Sequence, residues 1–215
     1  YGSLDKNESP STEESQYKPN SPYSASKAAS DHLVRSYYKT YDFPVITTHC
    51  SNNYGPYQFP EKLIPLIVFN AINEKSLPVY GDGHQIRDWI HVEDHCKAII
   101  KVVENGTVGH TYNIGGNNQK TNLEVVQLIC KILDKSRPRQ KGSYSDLITF
   151  IKDRPGHDRR YAINSLKMMN DLDWTPKVSF NLGVESTVEW YLENLEWLKE
   201  INTGDYLNWI KKQYQ

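Results

Sequence analysis

Tyr23 and Lys27 stand four residues apart in Ser21-Pro22-Tyr23-Ser24-Ala25-Ser26-Lys27, and that pair could do chemistry. Ser21 can cap a helix, because its hydroxyl accepts a free amide hydrogen of the first turn. Pro22 suits the first helical position, where no amide hydrogen is needed. A helix opening there puts both side chains on one face. A free phenol has a pKa of roughly 10 and is a poor base at neutral pH. A nearby ammonium favours the phenolate. Such a tyrosine can take a proton from a sugar or alcohol hydroxyl while hydride leaves the same carbon. The spacing alone is weak evidence. Among 15 tyrosines only Tyr23 has a lysine four residues later, and chance supplies roughly one such pair. The bland alternative is a surface tyrosine beside a solvated lysine.

Three other stretches could hold a ligand. Asn52-Asn53, with Lys62-Leu63 beyond it, follows a strand-like segment. Amides at the carboxyl end of a parallel strand sit where α/β folds bind ligands; a turn-capping pair is the alternative. Pro78-Val79-Tyr80 and then Gln85-Ile86-Arg87-Asp88-Trp89 offer an aromatic for a base and an arginine for phosphate. An ordinary hairpin with a cross-strand ion pair would look the same. Asp153-Arg154-Pro155-Gly156-His157-Asp158-Arg159-Arg160 sets three arginines against two aspartates around a turn. That excess suits a pyrophosphate, or it marks a solvated loop whose arginines pair with Asp153 and Asp158. None of these stretches supplies a nucleophile or a metal site, which points to a nucleotide-sugar ligand instead of a hydrolase substrate.

The elements that must position these groups alternate between helix and strand. Residues 3–20 read as a loop, 22–41 as a helix with an apolar stripe at Ala28, Ala29, Leu33 and Val34, and 43–50 as a strand. Residues 51–60 read as a loop, 61–73 as a helix, 77–80 and 85–91 as short strands. An amphipathic helix over 92–105 carries Val92, Cys96, Ile99, Ile100 and Val103 on one face. A strand at 110–114, a helix at 122–134 with Val125, Val126, Ile129, Ile132 and Leu133 inward, and a strand at 147–151 follow. Helices are expected at 165–172, 182–199 and 203–214, the last with Tyr206 and Trp209. A helix leading into a strand after a short turn fits a parallel sheet, hence an α/β fold.

The 215 residues are 38% hydrophobic and carry a formal net charge of −1, so no global field draws the chain to nucleic acid or anionic membrane. No apolar run approaches the roughly 20 residues that span a bilayer. Cys50, Cys96 and Cys130 are odd in number and in no Cys-x-x-Cys motif, and read as free thiols of a reducing cytoplasm. His91 and His95 are four apart, but no glutamate stands where the zinc motif needs it, so no metal is expected. Gly81-Asp82-Gly83 is the nearest approach to a glycine-rich dinucleotide turn, and Ile86 stands in the place of its third glycine.

Taken together, Ser-Pro-Tyr-Ser-Ala-Ser-Lys, Asn-Asn-Tyr-Gly-Pro-Tyr-Gln-Phe-Pro-Glu-Lys-Leu-Ile-Pro, Gln-Ile-Arg-Asp-Trp, Tyr-Asn-Ile-Gly-Gly and Asp-Arg-Pro-Gly-His-Asp-Arg-Arg-Tyr resemble the extended short-chain dehydrogenase/reductase family, and within it the dTDP-glucose 4,6-dehydratases. The resemblance runs from Tyr1-Gly2 to the helix around Trp190. It implies the C-terminal part of an NAD-binding Rossmann domain, residues 1–60, plus a smaller mixed α/β nucleotide-sugar-binding lobe, mainly 61–215, with some segments returning to the Rossmann domain. It implies Tyr23 as base for C4 oxidation, Lys27 on the NAD ribose and Asn53 near the cofactor. Asn52, Lys62, Leu63, Pro78, Val79, Tyr80, Arg87, Asn122, Asp153, Arg154, Pro155, Gly156 and His157 would hold the substrate, with Arg87 and Arg154 toward the pyrophosphate. It also implies a cytoplasmic enzyme of dTDP-rhamnose synthesis, a homodimer at full length, with no nucleic-acid or membrane partner. The chain opens at the Tyr-Gly of a Thr-Asp-Glu-Val-Tyr-Gly motif, so the Asp-Glu elimination pair and the NAD turn are not in it. The expectation is a fragment inactive by itself. Another nucleotide-sugar short-chain enzyme (a 4-epimerase or UDP-glucuronate decarboxylase) and a non-catalytic nucleotide-sugar-binding module remain the alternatives.

Overall fold

The computed structural model describes residues 1–201. The helix expected over 203–214, with Tyr206 and Trp209, lies outside the described residues. The described residues divide into two compact units, one of residues 1–53, 85–120 and 155–178, the other of 54–84, 121–154 and 179–201.

The first unit opens with a loop that ends at helix α1, Pro22–Tyr41. Ser21 caps it: its hydroxyl accepts the Ser24 amide, as the sequence predicts. Strand β1, Thr47–Cys50, pairs in parallel with β5, Thr111–Ile114, placing Thr47 opposite Thr111 and Cys50 opposite Ile114. The strand expected from residue 43 is thus shorter. Before it, the Gly109 amide donates to the Val45 carbonyl at 2.7 Å, but the regular ladder starts only at Thr47 opposite Thr111. A strand missed by the sequence reading, β2 at Asn52–Tyr54, shares a three-stranded sheet with β4, Ile86–His91, and β6, Gln119–Thr121. At three polar-rich residues it has no period to read. The segment at 77–80 and β4 do not form a hairpin; each pairs with other strands.

One face of the β1–β5 pair is apolar. Tyr112 and Ile114 join Ile90, Ala98, Val102, Met168, Leu172 and Trp174 in a buried cluster with Ile46 against it. Helices α3, Val92–Asn105, and α5, Leu166–Leu172, supply its far side. Each fully buried aliphatic side chain there contributes about 1.5–3 kcal/mol. The face α3 turns inward is not the one its apolar residues mark. Asp94, Ala98 and Val102 are buried, whereas Ile99, Ile100 and Val103 are exposed. The Asp94 carboxylate accepts the amides of Lys177 and Val178, both at 2.8 Å, and that buried anchor sets the helix rotation. The other face of β1–β5 is polar, with His49 and Asn113 side by side in the ladder.

The second unit is built on α2, Leu63–Ile72, and α4, Asn122–Ser136, which pack on each other. Helix α6, Phe180–Glu193, closes on both. Thr121 and Glu124 form a reciprocal capping box at the start of α4. Val125, Val126, Ile129 and Leu133 are buried as expected, and Ile132 is half-buried. Strand β3, Leu77–Tyr80, runs parallel to β7, Ile148–Ile151. The single helix expected over 182–199 is two, α6 and α7, Leu195–Ile201. Both the backbone and the side-chain amide of Asn194 donate to the Trp190 carbonyl, which ends α6 there. No helix among the described residues is long and apolar enough to cross a membrane.

Candidate functional site

In the first unit, α1 presents Tyr23 and Lys27 one turn apart, both exposed. The helix buries none of its residues, so this face is open to a ligand. Lys27 acts electrostatically on the Cys50 thiol at the carboxyl end of β1. Packing around that thiol pushes its pKa up; a hydrogen bond from Asn53 and the Lys27 ammonium partly offset this. The Asn53 amide donates to Cys50 Sγ at 3.4 Å and to the Ser51 carbonyl at 3.1 Å, and its Oδ1 meets His95 Nδ1 at 2.8 Å. The carbonyl oxygen of Asn53 can only accept, so His95 Nδ1 carries the hydrogen. Lys27, Cys50, Asn53 and His95 thus gather at the end of a parallel strand, where open α/β sheets bind ligands. Asn52 is exposed beside them. Sequence reasoning named Lys27 and Asn53 but not Cys50 or His95. The three-residue step from Cys50 to Asn53 was visible, while His95 comes from a helix with no local mark of that contact.

A second cluster in the same unit surrounds the first turn of α1. Asn20 Nδ2 donates to the Asp158 carboxylate at 2.6 Å, and the Tyr161 hydroxyl donates to its other oxygen. Arg87, buried, lays its guanidinium 4.5 Å from the Tyr161 ring centroid and donates to the Asp158 carbonyl at 2.9 Å. Burial and the Asp158 bond raise the Tyr161 pKa, and a hydrogen bond with Ser24 of α1 lowers it in part. Gly156 has φ +67°, and a methyl group there would stand 3.1 Å from the Asn20 carbonyl. The Pro155–His157 segment is therefore held against the N-cap of α1. Arg160 does not add to a phosphate patch. It is buried and spends its guanidinium on the Asp5 and Glu8 carbonyls and on Gln119 Oε1.

In the second unit, the turn after β3 brings other named residues together. Gly83 packs against Val79 and Leu123, and the Leu123 amide donates to the Gly83 carbonyl. That contact places Pro78–Tyr80 beside Asn122, the first residue of α4. The parallel β3–β7 ladder ends with Tyr80 opposite Ile151, and the Arg154 guanidinium lies 5.9 Å from the Tyr80 ring centroid. Asp153 and Arg154 are exposed. Lys62 pairs with Glu61 at 2.5 Å, and Leu63 opens α2.

A description of the GDP-mannose 4,6-dehydratase family matches residues 1–187. The chain belongs to that family. It is 55% identical over 204 residues to the dTDP-glucose 4,6-dehydratase of Shigella flexneri, covering 95% of this chain and 56% of that protein. The chain thus spans little more than half the length of such relatives. A crystal structure of dTDP-glucose 4,6-dehydratase from Bacillus anthracis in complex with NAD superposes with a TM-score of 0.85 at 54% identity, covering 94% of this chain and 61% of that one. One from Streptomyces venezuelae with NAD and TYD bound gives 0.87 at 43% identity, covering 94% and 59%.

Two histidines of this family member make its stability acid-sensitive. Burial lowers the pKa of His91, against the opposing pull of Glu93 and Asp94, and burial lowers that of His95. Below about 6.5 the unfolded histidines take up protons that the folded ones resist. Stability is therefore full above that pH and falls as the pH drops through it toward the folded values. Urea midpoints should be lower at pH 5.5 than at 7.5, and H91Q with H95Q should shrink the gap. An unchanged gap in the double variant would remove these residues from the account.

Proposed function

We propose that this chain is the proton-transfer and nucleotide-sugar portion of an NAD-dependent dTDP-glucose 4,6-dehydratase. The carrying observation is 55% identity to such an enzyme over 95% of the chain, in a sequence that sets Tyr23 and Lys27 one turn apart on a capped helix. The first unit is the Rossmann-derived part and the second the sugar-nucleotide lobe. An exposed phenol and ammonium near the carboxyl end of β1 fit the reactive end of NAD, with Lys27 and Asn53 as the residues that would hold it. Bound NAD supplies a reversible acceptor for hydride. Tyr23 takes the proton of the sugar C4 hydroxyl. Lys27 favours the phenolate by its charge. His95 keeps the Asn53 amide in place through its 2.8 Å bond.

The substrate is held by its two ends. Tyr80, with Pro78, Val79 and Asn122 beside it, offers a ring face to the base. In the second unit, Arg154, Lys62 and Leu63 are the residues proposed for the pyrophosphate end; in the first unit, Arg87, Asn52, Pro155, Gly156 and His157 are. Arg87 is buried against the Tyr161 ring, and its Nη1 and Nη2 donate to the Ile86 and Asp158 carbonyls. The overall reaction removes one water from dTDP-glucose to leave the 4-keto-6-deoxy sugar, with no net redox change. The product feeds dTDP-rhamnose synthesis in the cytoplasm. The enzyme works as a homodimer, a reading supported by α1, which leaves Leu33, Tyr37 and Tyr41 exposed.

The test uses the protein encoded by the full reading frame around these residues. With NAD and dTDP-glucose, mass spectrometry should find a product 18 Da lighter than the substrate; UDP-glucose serves as the control. Epimerised sugar of unchanged mass, or equal turnover of the UDP sugar, would replace this reading with that of another nucleotide-sugar enzyme.

A further inference from the structure

The polar face of β1 carries a cluster outside the groups used above. His49 Nε2 meets Asp31 Oδ2 at 2.9 Å. The carboxylate accepts only, so Nε2 carries the hydrogen. Tyr17 stands 3.1 Å from the same nitrogen and also bonds Asp31. On the far side of the ring, the Tyr1 hydroxyl lies 2.8 Å from both Nδ1 and Asn113 Oδ1, and its one hydrogen is shared between these two acceptors. Asn113 is buried and is itself fixed, its side-chain amide on the Ser11 carbonyl and its backbone amide on Glu13. The imidazole is therefore held at both nitrogens and packed edge-on by the rings of Tyr1 and Tyr17.

The carboxylate that this imidazole holds belongs to α1. Tyr23, Lys27 and Asp31 step along the helix at intervals of four, a stripe that drifts by only about 40° per step. Asp31 is one turn beyond Lys27. Asp31 bonds His49, the residue before Cys50, and the Lys27 ammonium is near enough to weigh on the Cys50 thiol, so the stripe runs alongside the end of β1. The helix buries no side chain; toward its carboxyl end the Tyr38 ring rests on Gly109, and nearer its start the Asp31 bond ties it to β1.

We propose that His49 is a positioning residue: through Asp31 it sets the rotation and axial height of α1, and so places Tyr23 and Lys27 over the end of β1. Tyr1, Tyr17 and Asn113 hold the imidazole for that task. This rests on the proposed function for its catalytic consequence, but not for its geometric one.

Two readouts on the full-reading-frame protein test it. The first needs neither substrate nor cofactor. The rate of alkylation of Cys50 by iodoacetamide, followed against pH on the peptide that carries it, reports how close Lys27 stands. In H49A the alkylation profile should shift toward that of K27M, and in H49R, whose guanidinium can still donate to Asp31, it should return to that of the parent. The second is turnover. H49A should lower kcat about tenfold with the KM for dTDP-glucose within about twofold, H49R should recover most of the loss, and D31N with H49A should be no worse than H49A. A parent profile retained in H49A overturns the proposal. So does a loss in which KM and the melting temperature fall together with kcat, or one that H49R leaves unrepaired. If the parent enzyme makes no product, the proposed function fails, and the alkylation result still decides the positioning role.

Discussion

Tyr23→Phe should lower kcat on dTDP-glucose by roughly 10²–10⁴-fold, the range a positioned general base contributes. Affinity for dTDP should stay within about twofold, because the Tyr80–Asn122–Arg154 group and Arg87 are untouched. The side chain is 74% exposed on a helix with no buried residue, so losing one hydroxyl leaves the fold intact. A kinetic loss in Y23F therefore reads out chemistry and not collapse. Single-turnover mixing with dTDP-glucose, together with calorimetric binding of dTDP, separates the two. A variant that keeps more than a tenth of the parental rate would mean that another group takes the C4 proton, and the role given to Tyr23 would fall.

The first turns of α1 and α4 were legible because their signals are local. Ser21 and Pro22 specify the start of α1 within two residues, and the start of α4 was read from its helical period alone. The parallel α/β class was legible for a related reason: short β-branched runs alternate with helical periods. The placement of Tyr23 and Lys27 followed from the cap plus helical spacing alone.

What was not legible depended on contacts distant in sequence. The inner face of α3 is chosen by Asp94, whose partners are the amides of Lys177 and Val178, more than 80 residues away. Its apolar residues alone pointed to the opposite face. Arg160 looked like one more charge in an arginine-rich loop, but the carbonyls of Asp5 and Glu8 claim it. His95 and Asn53 come together across 42 residues. In each case a polar group needs a partner once it is buried, and which partner it finds is a property of the tertiary fold.

Asp88→Ala should cost about 3–5 kcal/mol, the largest stability loss of any exchange proposed for this chain. Asp88 follows Arg87 in Gln-Ile-Arg-Asp-Trp, a stretch whose sequence offered Arg87 to a phosphate or a hairpin ion pair and gave Asp88 no role in a site. In the structure it is buried within β4 and does internal work. One carboxylate oxygen accepts the Gly116 amide at 3.0 Å and the Ser51 hydroxyl, and the other accepts the Asn118 amide at 2.6 Å. It thereby joins β4 to the residues that follow β1 and β5. Removing it leaves two backbone amide hydrogens and a hydroxyl without their acceptor, and each buried orphan costs about 1–3 kcal/mol. Asp88→Asn keeps the shape and one acceptor oxygen but turns an amide NH2 toward a donor, so it should recover only part of the loss. Urea unfolding of both variants, with the slope checked for constancy, measures this. Ser51 directly precedes the Asn52-Asn53 pair, so D88A should also slow turnover before the fold melts. Equal stability of D88A and parent would show that solvent reaches those amides, and the burial that carries the argument would not hold.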